Sequence, residues 1–286
     1  MELINCRDIR EQMLIEAKVE LTKIYAHEGK VLRLVVIQVE GDSASNVYIK
    51  NKIKTCEEVG INCDHIQLPS DIRLDILKST IKYHINRKDV NAVMLQLPLP
   101  CHLKPHQQEL LDLIPWQMDV DGLSTESIGR LWSGQECLVP CTAQGIMRLL
   151  PEDLSGKSVS IINRSNLIGK PLIKLLLDRN ATPTIFHSKS GGYGDIVNEV
   201  IWSDYVITGT GQAKWIKCYE NEWSDVTIID AAICRDEENK LCGDVNIKTF
   251  EHTNCKITPV PGSVGILTTA QLILNVVAAY KLQQGE

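Results

Sequence analysis

The sequence has no surplus of positive charge: 30 lysines and arginines stand against 36 aspartates and glutamates, a formal charge of -6 over 286 residues. Binding a nucleic-acid backbone calls for a basic face that releases counterions, so a nucleic-acid partner is not expected. Also missing is an apolar run of the roughly 20 residues that a bilayer requires; the strongest runs, 34–39 and 272–280, are much shorter. The first ten residues carry Glu2, Arg7, Asp8 and Arg10 where a signal peptide would be apolar. These absences predict a soluble, unexported, cytoplasmic protein with no membrane partner. Ten cysteines are present, yet none forms a C-x-x-C pair and none has a histidine at a zinc-ligand offset. Free thiols packed as small apolar side chains are expected, with no metal. Internal repeats and low-complexity tracts are lacking too.

What is present is 44% hydrophobic and 23% charged, enough to build ordinary buried cores, and the length suits two domains. The spacing of Ile9, Met13, Val19 and Ile24 predicts a helix over 8–27, stopped at Gly29. The near-continuous apolar run LRLVVIQV (32–39) predicts a strand buried on both faces. Helices over 44–59 and 75–85 alternate with an edge strand over 63–68 and a buried strand over 92–97. From Cys141 the alternation restarts, with a helix over 143–150, a strand over 158–162 and a helix over 170–178. Strands follow over 182–186, 205–208, 226–230 and 256–257. A last helix is expected from Thr268, which has capping-box spacing to Gln271. This order predicts an α/β protein: two α/β domains with a cleft between them, the second a doubly wound, Rossmann-type NADP-binding domain. The first domain is expected over 1–138, completed by the C-terminal helix 268–286, and the second over 139–267.

The strand at 158–162 runs into Asn163-Arg164-Ser165-Asn166-Leu167-Ile168-Gly169-Lys170-Pro171. Pro171 suits a first helical turn, and free backbone N–H groups ahead of it would form an anion site. The usual G-x-G-x-x-G is missing, so a plain strand-to-helix connection is the competing reading. At the end of the next strand, Phe186-His187-Ser188-Lys189-Ser190 contains no carboxylate to hold the ribose hydroxyls of NAD or to repel a 2′-phosphate. Arg164, Ser188 and Lys189 suit such a phosphate, which favours NADP over NAD.

Tyr48 and Lys52 lie four apart and share a helix face, while Lys50 and Lys54 share another about 200° away. Lysines on a helix are ordinarily solvated. A tyrosine beside a lysine at a cleft, however, can stack on a flat ring and move a proton. Spacing alone leaves both readings open.

Tyr48-x-x-x-Lys52, Gln96-Leu97-Pro98-Leu99-Pro100, Asp119-Val120-Asp121-Gly122, Pro140-Cys141-Thr142, Arg164-Ser165 and Pro259-Val260-Pro261-Gly262 stand in one order. With them the sequence resembles the bifunctional methylenetetrahydrofolate dehydrogenase/methenyltetrahydrofolate cyclohydrolase family, over about residues 1–283. The resemblance implies oxidation of 5,10-methylenetetrahydrofolate by NADP, then hydrolysis of the methenyl product to 10-formyltetrahydrofolate, in a homodimer. It implies Lys52 as the essential lysine, Gln96 as its hydrogen-bond partner, Tyr48 packed on the folate and Asp121 gripping the pterin edge. Leu97, Pro98, Leu99, Pro261 and Gly262 are implied as further folate contacts. For the cofactor it implies Cys141, Thr142, Asn163, Arg164, Ser165, Ile168, Gly169, His187, Ser188, Lys189, Thr210, Gly211, Ile233, Gly265 and Thr268, with Cys141 packing rather than acting as a nucleophile.

Departures from the family pattern cluster around the cofactor. Asn163 and Ser263 stand where glycines are usual, Ala231-Ala232 where Val-Gly is usual, and in the folate half Met118 and Ser127 replace Lys and Asn. Tyr48, Lys52, Gln96 and Asp121 are intact. Folate binding and hydrolysis are therefore the firmer expectations, and a cyclohydrolase with weak or lost dehydrogenase activity is the alternative. A catalytically silent binding protein of the same fold is a further one.

Overall fold

The computed structural model describes every residue except Asp42, 220–222, Ser224 and Glu286, and leaves aside the side chains of 43–47. In chain order, β1 (Glu2–Leu3), α1 (Cys6–Glu28), β2 (Arg33–Val39), α2 (Ser43–Val59), β3 (Asn62–Leu68), α3 (Leu74–Ile85) and β4 (Ala92–Leu95) come first. The short helices α4 (Gln107–Leu111) and α5 (Thr125–Trp132) follow, then α6 (Cys141–Met147), β5 (Ser158–Ile162), α7 (Gly169–Asp178) and β6 (Thr182–Phe186). α8 (Tyr193–Val200), β7 (Tyr205–Thr208), β8 (Thr227–Asp230), the hairpin β9 (Cys234–Arg235) and β10 (Leu241–Cys242), β11 (Lys256–Ile257) and α9 (Val264–Gln284) complete the chain.

Two units result, one from Gln12–Cys141 with Thr269–Glu286, the other from Met1–Glu11 with Thr142–Thr268. The first holds a parallel sheet in the order β3-β2-β4. β2 is buried from Leu34 to Val39 because both of its faces are covered, which is why its sequence is continuously apolar rather than alternating. Val35, Ile37, Val93 and Leu95 pack with Leu77 and Ile81 of α3, which lie four apart on one helix face. Full burial of one such side chain contributes roughly 1.5–3 kcal/mol. Residue Asp119 forms a parallel bridge with Val93 beside β4, so the segment around it extends the sheet.

The second unit holds a six-stranded, all-parallel sheet in the order β1-β11-β8-β7-β5-β6. After β5 the chain crosses to β6 on one side and then to β7 on the other. This reversal opens a crevice beyond the carboxyl ends of β5 and β7, the usual place for a ligand in a doubly wound sheet.

Several elements differ from the sequence reading. Residues 1–11, expected in the folate half, belong to the other unit, because Glu2 and Leu3 pair in parallel with Lys256 and Ile257. Two residues carry too little periodicity to announce a strand. The last helix starts at Val264 rather than Thr268; Thr268 Oγ1 donates to the Val264 carbonyl at 2.9 Å, so the hydroxyl bonds back within the helix and does not cap it. At 21 residues and mean hydropathy 1.4, α9 is long and apolar enough to cross a membrane, but 61% of its most apolar window is buried inside the fold, as in a core helix. α4, α5, α8 and the β9–β10 hairpin were not legible, being too short for a periodic signal.

Candidate functional site

α2 presents its three lysines to two different surroundings. Lys50 and Lys54 are exposed, as a solvated helix face requires, whereas Lys52 is only 8% exposed. Its ammonium donates to Gln96 Oε1 at 2.8 Å and lies 3.2 Å from Met94 Sδ. Gln96 follows β4, and its Nε2 donates to the Leu97 carbonyl at 2.6 Å. That carbonyl can only accept, so it fixes the amide orientation and turns Oε1 to the lysine. Tyr48, half-buried, sits one turn before Lys52 on the same helix face. Leu97 is half-buried and Pro98 exposed, but Leu99 is turned into the core, 2% exposed, and is unavailable as a contact surface.

Asp121 comes next in this unit. Gly122, at φ +62°, closes the turn after it; a Cβ there would fall 2.5 Å from the Leu138 carbonyl, so only glycine fits. Burial, reinforced by the neighbouring Asp119, pushes the Asp121 carboxyl up to about 6, while the Lys52 ammonium and the Cys141 thiol pull it down. Asp119 is buried and satisfied by Ser124 N at 2.8 Å and Ser127 Oγ at 2.7 Å, so Ser127, the substitute for a usual Asn, serves an internal bond. Cys141 Sγ donates to the Val120 carbonyl at 3.2 Å. Burial and the Asp121 charge hold its thiol well above the ordinary range, which makes it a donor and not a nucleophile. Asn275 of α9, which sequence reasoning missed, donates to the Val120 carbonyl at 2.8 Å, the Val139 carbonyl at 2.9 Å and Cys141 Sγ at 3.4 Å. The available signal was a lone amide within an apolar helix.

In the other unit a cavity of about 620 Å³ opens beyond β5 and β7, within the size range of cofactor sites. One wall is Ile162, Asn163, Arg164 and Ser165, another is His187 and Ser188, and a third is Gly209, Thr210 and Gln212. Gly191, Gly192, Tyr193, Ile196 and Trp215 complete the lining, with the rings of Tyr193 and Trp215 edge to face at 5.6 Å. Among the described residues no acid lines this cavity, and Arg164 supplies a cation. A dinucleotide with an additional phosphate fits this donor set. Of the residues expected around the cofactor, Asn163, Arg164, Ser165, His187, Ser188 and Thr210 line the cavity; Cys141, Thr142, Ile168, Gly169, Lys189, Gly211, Ile233, Gly265 and Thr268 do not. Some of these meet elsewhere: Thr268 Oγ1 lies 3.3 Å from Thr142 Oγ1, and Gly265 lies against Ile233. Pro261 and Gly262 also belong to this unit, while Cys141 belongs to the unit that carries Lys52. The aromatic pair in the lining was not read from the sequence, although Gly191-Gly192-Tyr193 signalled a loop there.

The expected row of free N–H groups before α7 is a further correction. Asn163 Oδ1 accepts from Ser165 N at 2.8 Å, Ser165 Oγ at 2.8 Å and Gly169 N at 3.1 Å, and Ser165 Oγ accepts from Ile168 N at 3.1 Å. The side chain that replaces a usual glycine takes up donors that would otherwise meet an anion, and it does so without a left-handed backbone. Gly169 lies so close that a Cβ would stand 1.9 Å from the Asn163 carbonyl oxygen. Gly169→Ala is therefore expected to cost about 1–3 kcal/mol of stability through forced backbone movement; a urea unfolding midpoint equal to that of the parent protein would refute this. The other substitutions are absorbed: the Ser263 hydroxyl meets the Asp230 carbonyl at 3.3 Å, Ala232 N donates to Asp230 Oδ1 at 3.0 Å, and Met118 is buried in the core of the lysine-bearing unit.

Known proteins place these features in one family. The model described as tetrahydrofolate dehydrogenase/cyclohydrolase, catalytic domain, matches residues 4–121, and that of the NAD(P)-binding domain matches residues 140–284. The bifunctional protein FolD of Agathobacter rectalis is 38% identical over 283 residues, covering 98% of this chain and 99% of that one. Its counterpart from Lysinibacillus sphaericus is 35% identical over 280 residues, covering 97% and 96%. Among solved structures, the bifunctional FolD methylenetetrahydrofolate dehydrogenase/cyclohydrolase of Campylobacter jejuni has a TM-score of 0.89 at 31% identity, covering 99% of both chains. The Trypanosoma brucei FolD dehydrogenase-cyclohydrolase, solved with NADP cofactor and inhibitor, has a TM-score of 0.90 at 26% identity, covering 99% and 98%. With both domain models matched in order, one over the lysine centre and one over the loop-lined cavity, the chain belongs to the tetrahydrofolate dehydrogenase/cyclohydrolase family.

Proposed function

We propose that this protein oxidises 5,10-methylenetetrahydrofolate with NADP and hydrolyses the resulting methenyl compound to 10-formyltetrahydrofolate, in one-carbon metabolism that feeds purine biosynthesis. The observation that carries the reading is the buried Lys52 held at 2.8 Å by Gln96, in a site that also contains Asp121. Hydrolysis takes a proton from the attacking water and returns one to nitrogen as the ring opens. Lys52, as the neutral amine, takes the water's proton and, as the ammonium held by Gln96 Oε1, returns it to nitrogen. The Asp121 carboxylate accepts from neighbouring N–H groups on the pterin edge as a charge-assisted pair. Tyr48 packs on the flat face of the folate, beside Leu97 and Pro98.

NADP, when bound, supplies the hydride acceptor. Arg164 and Ser188 bind its 2′-phosphate, with Lys189 adding positive charge, and the lack of an acid after β6 favours NADP over NAD. The reading includes a cytoplasmic homodimer that needs no metal. Purified protein is expected to reduce NADP with methylenetetrahydrofolate, to reduce NAD more slowly, and to bleach the absorbance of methenyltetrahydrofolate. Hydrolysis without hydride transfer would establish a cyclohydrolase alone. Folate binding with neither reaction would establish a silent binding protein. Light scattering on the same sample tests the dimer.

A further inference from the structure

Asp244 lies outside every motif and lines no part of the cavity, yet it is fully buried and its carboxylate is spent on one segment of the cavity wall. Oδ2 accepts from Thr208 Oγ1 at 2.5 Å and from Thr210 N at 2.7 Å, and Oδ1 accepts from Gln212 N at 3.0 Å. The two backbone groups can only donate, and the hydroxyl donates as well, so the site calls for a group that accepts on both atoms. A carboxylate meets this; an amide would aim its own N–H at a donor. The Asp244 backbone is clamped in turn. Ile216 N donates to the Asp244 carbonyl at 2.9 Å, Lys214 N to the Gly243 carbonyl at 2.9 Å, and Val245 N to Asp230 Oδ2 at 2.8 Å. Between the bonded positions lies Gly209, whose carbonyl accepts from Asn163 Nδ2 at 2.6 Å. Asn163 in turn organises Ser165 and Gly169 through its other amide atom. A continuous chain of bonds thus runs from Asp244 through the 208–212 segment and Gly209 to the loop after β5.

We propose that Asp244 is a positioning residue for dinucleotide binding, fixing the 208–212 segment and, through Gly209 and Asn163, the neighbouring Arg164-Ser165 loop. The inference rests on the cavity being the NADP site. Asp244 touches neither cofactor nor substrate; it sets where Thr210, Arg164 and Ser165 stand before the cofactor arrives, which lowers the ordering cost of binding.

The test titrates the full-length protein with NADP, followed by tryptophan fluorescence, Trp215 lying in the cavity wall. Asp244→Asn is expected to raise the NADP Kd about ten- to hundred-fold, the scale of a lost buried charged hydrogen bond, while methenyltetrahydrofolate hydrolysis by the other unit changes less than about two-fold. A merely structural role would weaken NADP binding and hydrolysis together, and that result overturns the proposal, as does an unchanged Kd. Thr208→Val removes one donor while keeping the side-chain shape, and is expected to raise Kd about two- to ten-fold; it carries the test if Asp244→Asn fails to fold. The path through Gly209 predicts that Asn163→Gly with Asp244→Asn binds little more weakly than the weaker single variant. Fully additive effects would overturn that path. If the parent protein itself binds no NADP, the reading of the cavity falls and the inference with it; if only the variants behave like the parent, the inference alone falls.

Discussion

Lys52→Met is expected to lower methenyltetrahydrofolate hydrolysis about a thousand-fold, within the range by which positioned acid–base groups accelerate reactions. Methionine keeps an unbranched apolar stem of similar length in a place that is 8% exposed and already borders Met94 Sδ, so the fold is preserved. What disappears is the group that moves the proton, and Gln96 Oε1 loses its 2.8 Å partner. The hydride step depends chiefly on holding the folate carbon against the nicotinamide, so it should fall much less. Separate measurement of kcat for hydrolysis and for NADP reduction decides the matter. A hydrolysis rate within ten-fold of the parent protein removes Lys52 from the chemistry, and an equal collapse of both rates assigns it to substrate positioning instead.

Asp121→Asn is expected to reduce kcat/KM for both reactions about a hundred-fold, because the proposed pterin contact serves both and a charge-assisted bond is worth about 1.5–3 kcal/mol. The pH dependence gives this prediction a second handle. The carboxyl is pushed up to about 6, by burial first and by Asp119 second, against the pull of Lys52 and Cys141. Its charged form is therefore present above pH 6 and is lost as pH falls through that value. KM for folate should rise on acidification below about pH 6, and Asp121→Asn should remove that rise while leaving a uniformly weak KM. A parent KM that stays flat between pH 7 and 5 would show that the pterin is not held by a titrating carboxylate.

The sulfur chemistry of this chain illustrates how far composition reaches. Ten cysteines in a sequence without C-x-x-C spacing predict thiols packed mostly as small apolar side chains, and six of the ten are buried. Composition says nothing of which one borders a functional group. Cys141 does so because the segment after Asp121 brings its thiol to the Val120 carbonyl, where Asn275 from α9, 134 positions away, meets it. Asn163 shows the opposite limit. Read locally, it replaces a glycine in a turn and leaves N–H groups free; in the structure its side chain reaches Ser165, Gly169 and Gly209 together.

By itself the sequence determined the α/β alternation, the doubly wound second half, the absence of an acid after β6 and the shared face of Tyr48 and Lys52. All of these are periodic or local properties, set by side chains within a turn or two of one another. Tertiary structure alone decided which of Lys50, Lys52 and Lys54 is buried, since the Gln96 that receives Lys52 lies 44 positions away on another element. It also decided the raised titration of Asp121, which comes from the surroundings that bury it, and the bonding of Asp244, whose carboxylate is committed to donors 32 to 36 positions upstream. Burial, and with it the energy of a charge or a hydrogen bond, depends on everything that packs around a group. Spacing along the chain records only its neighbours.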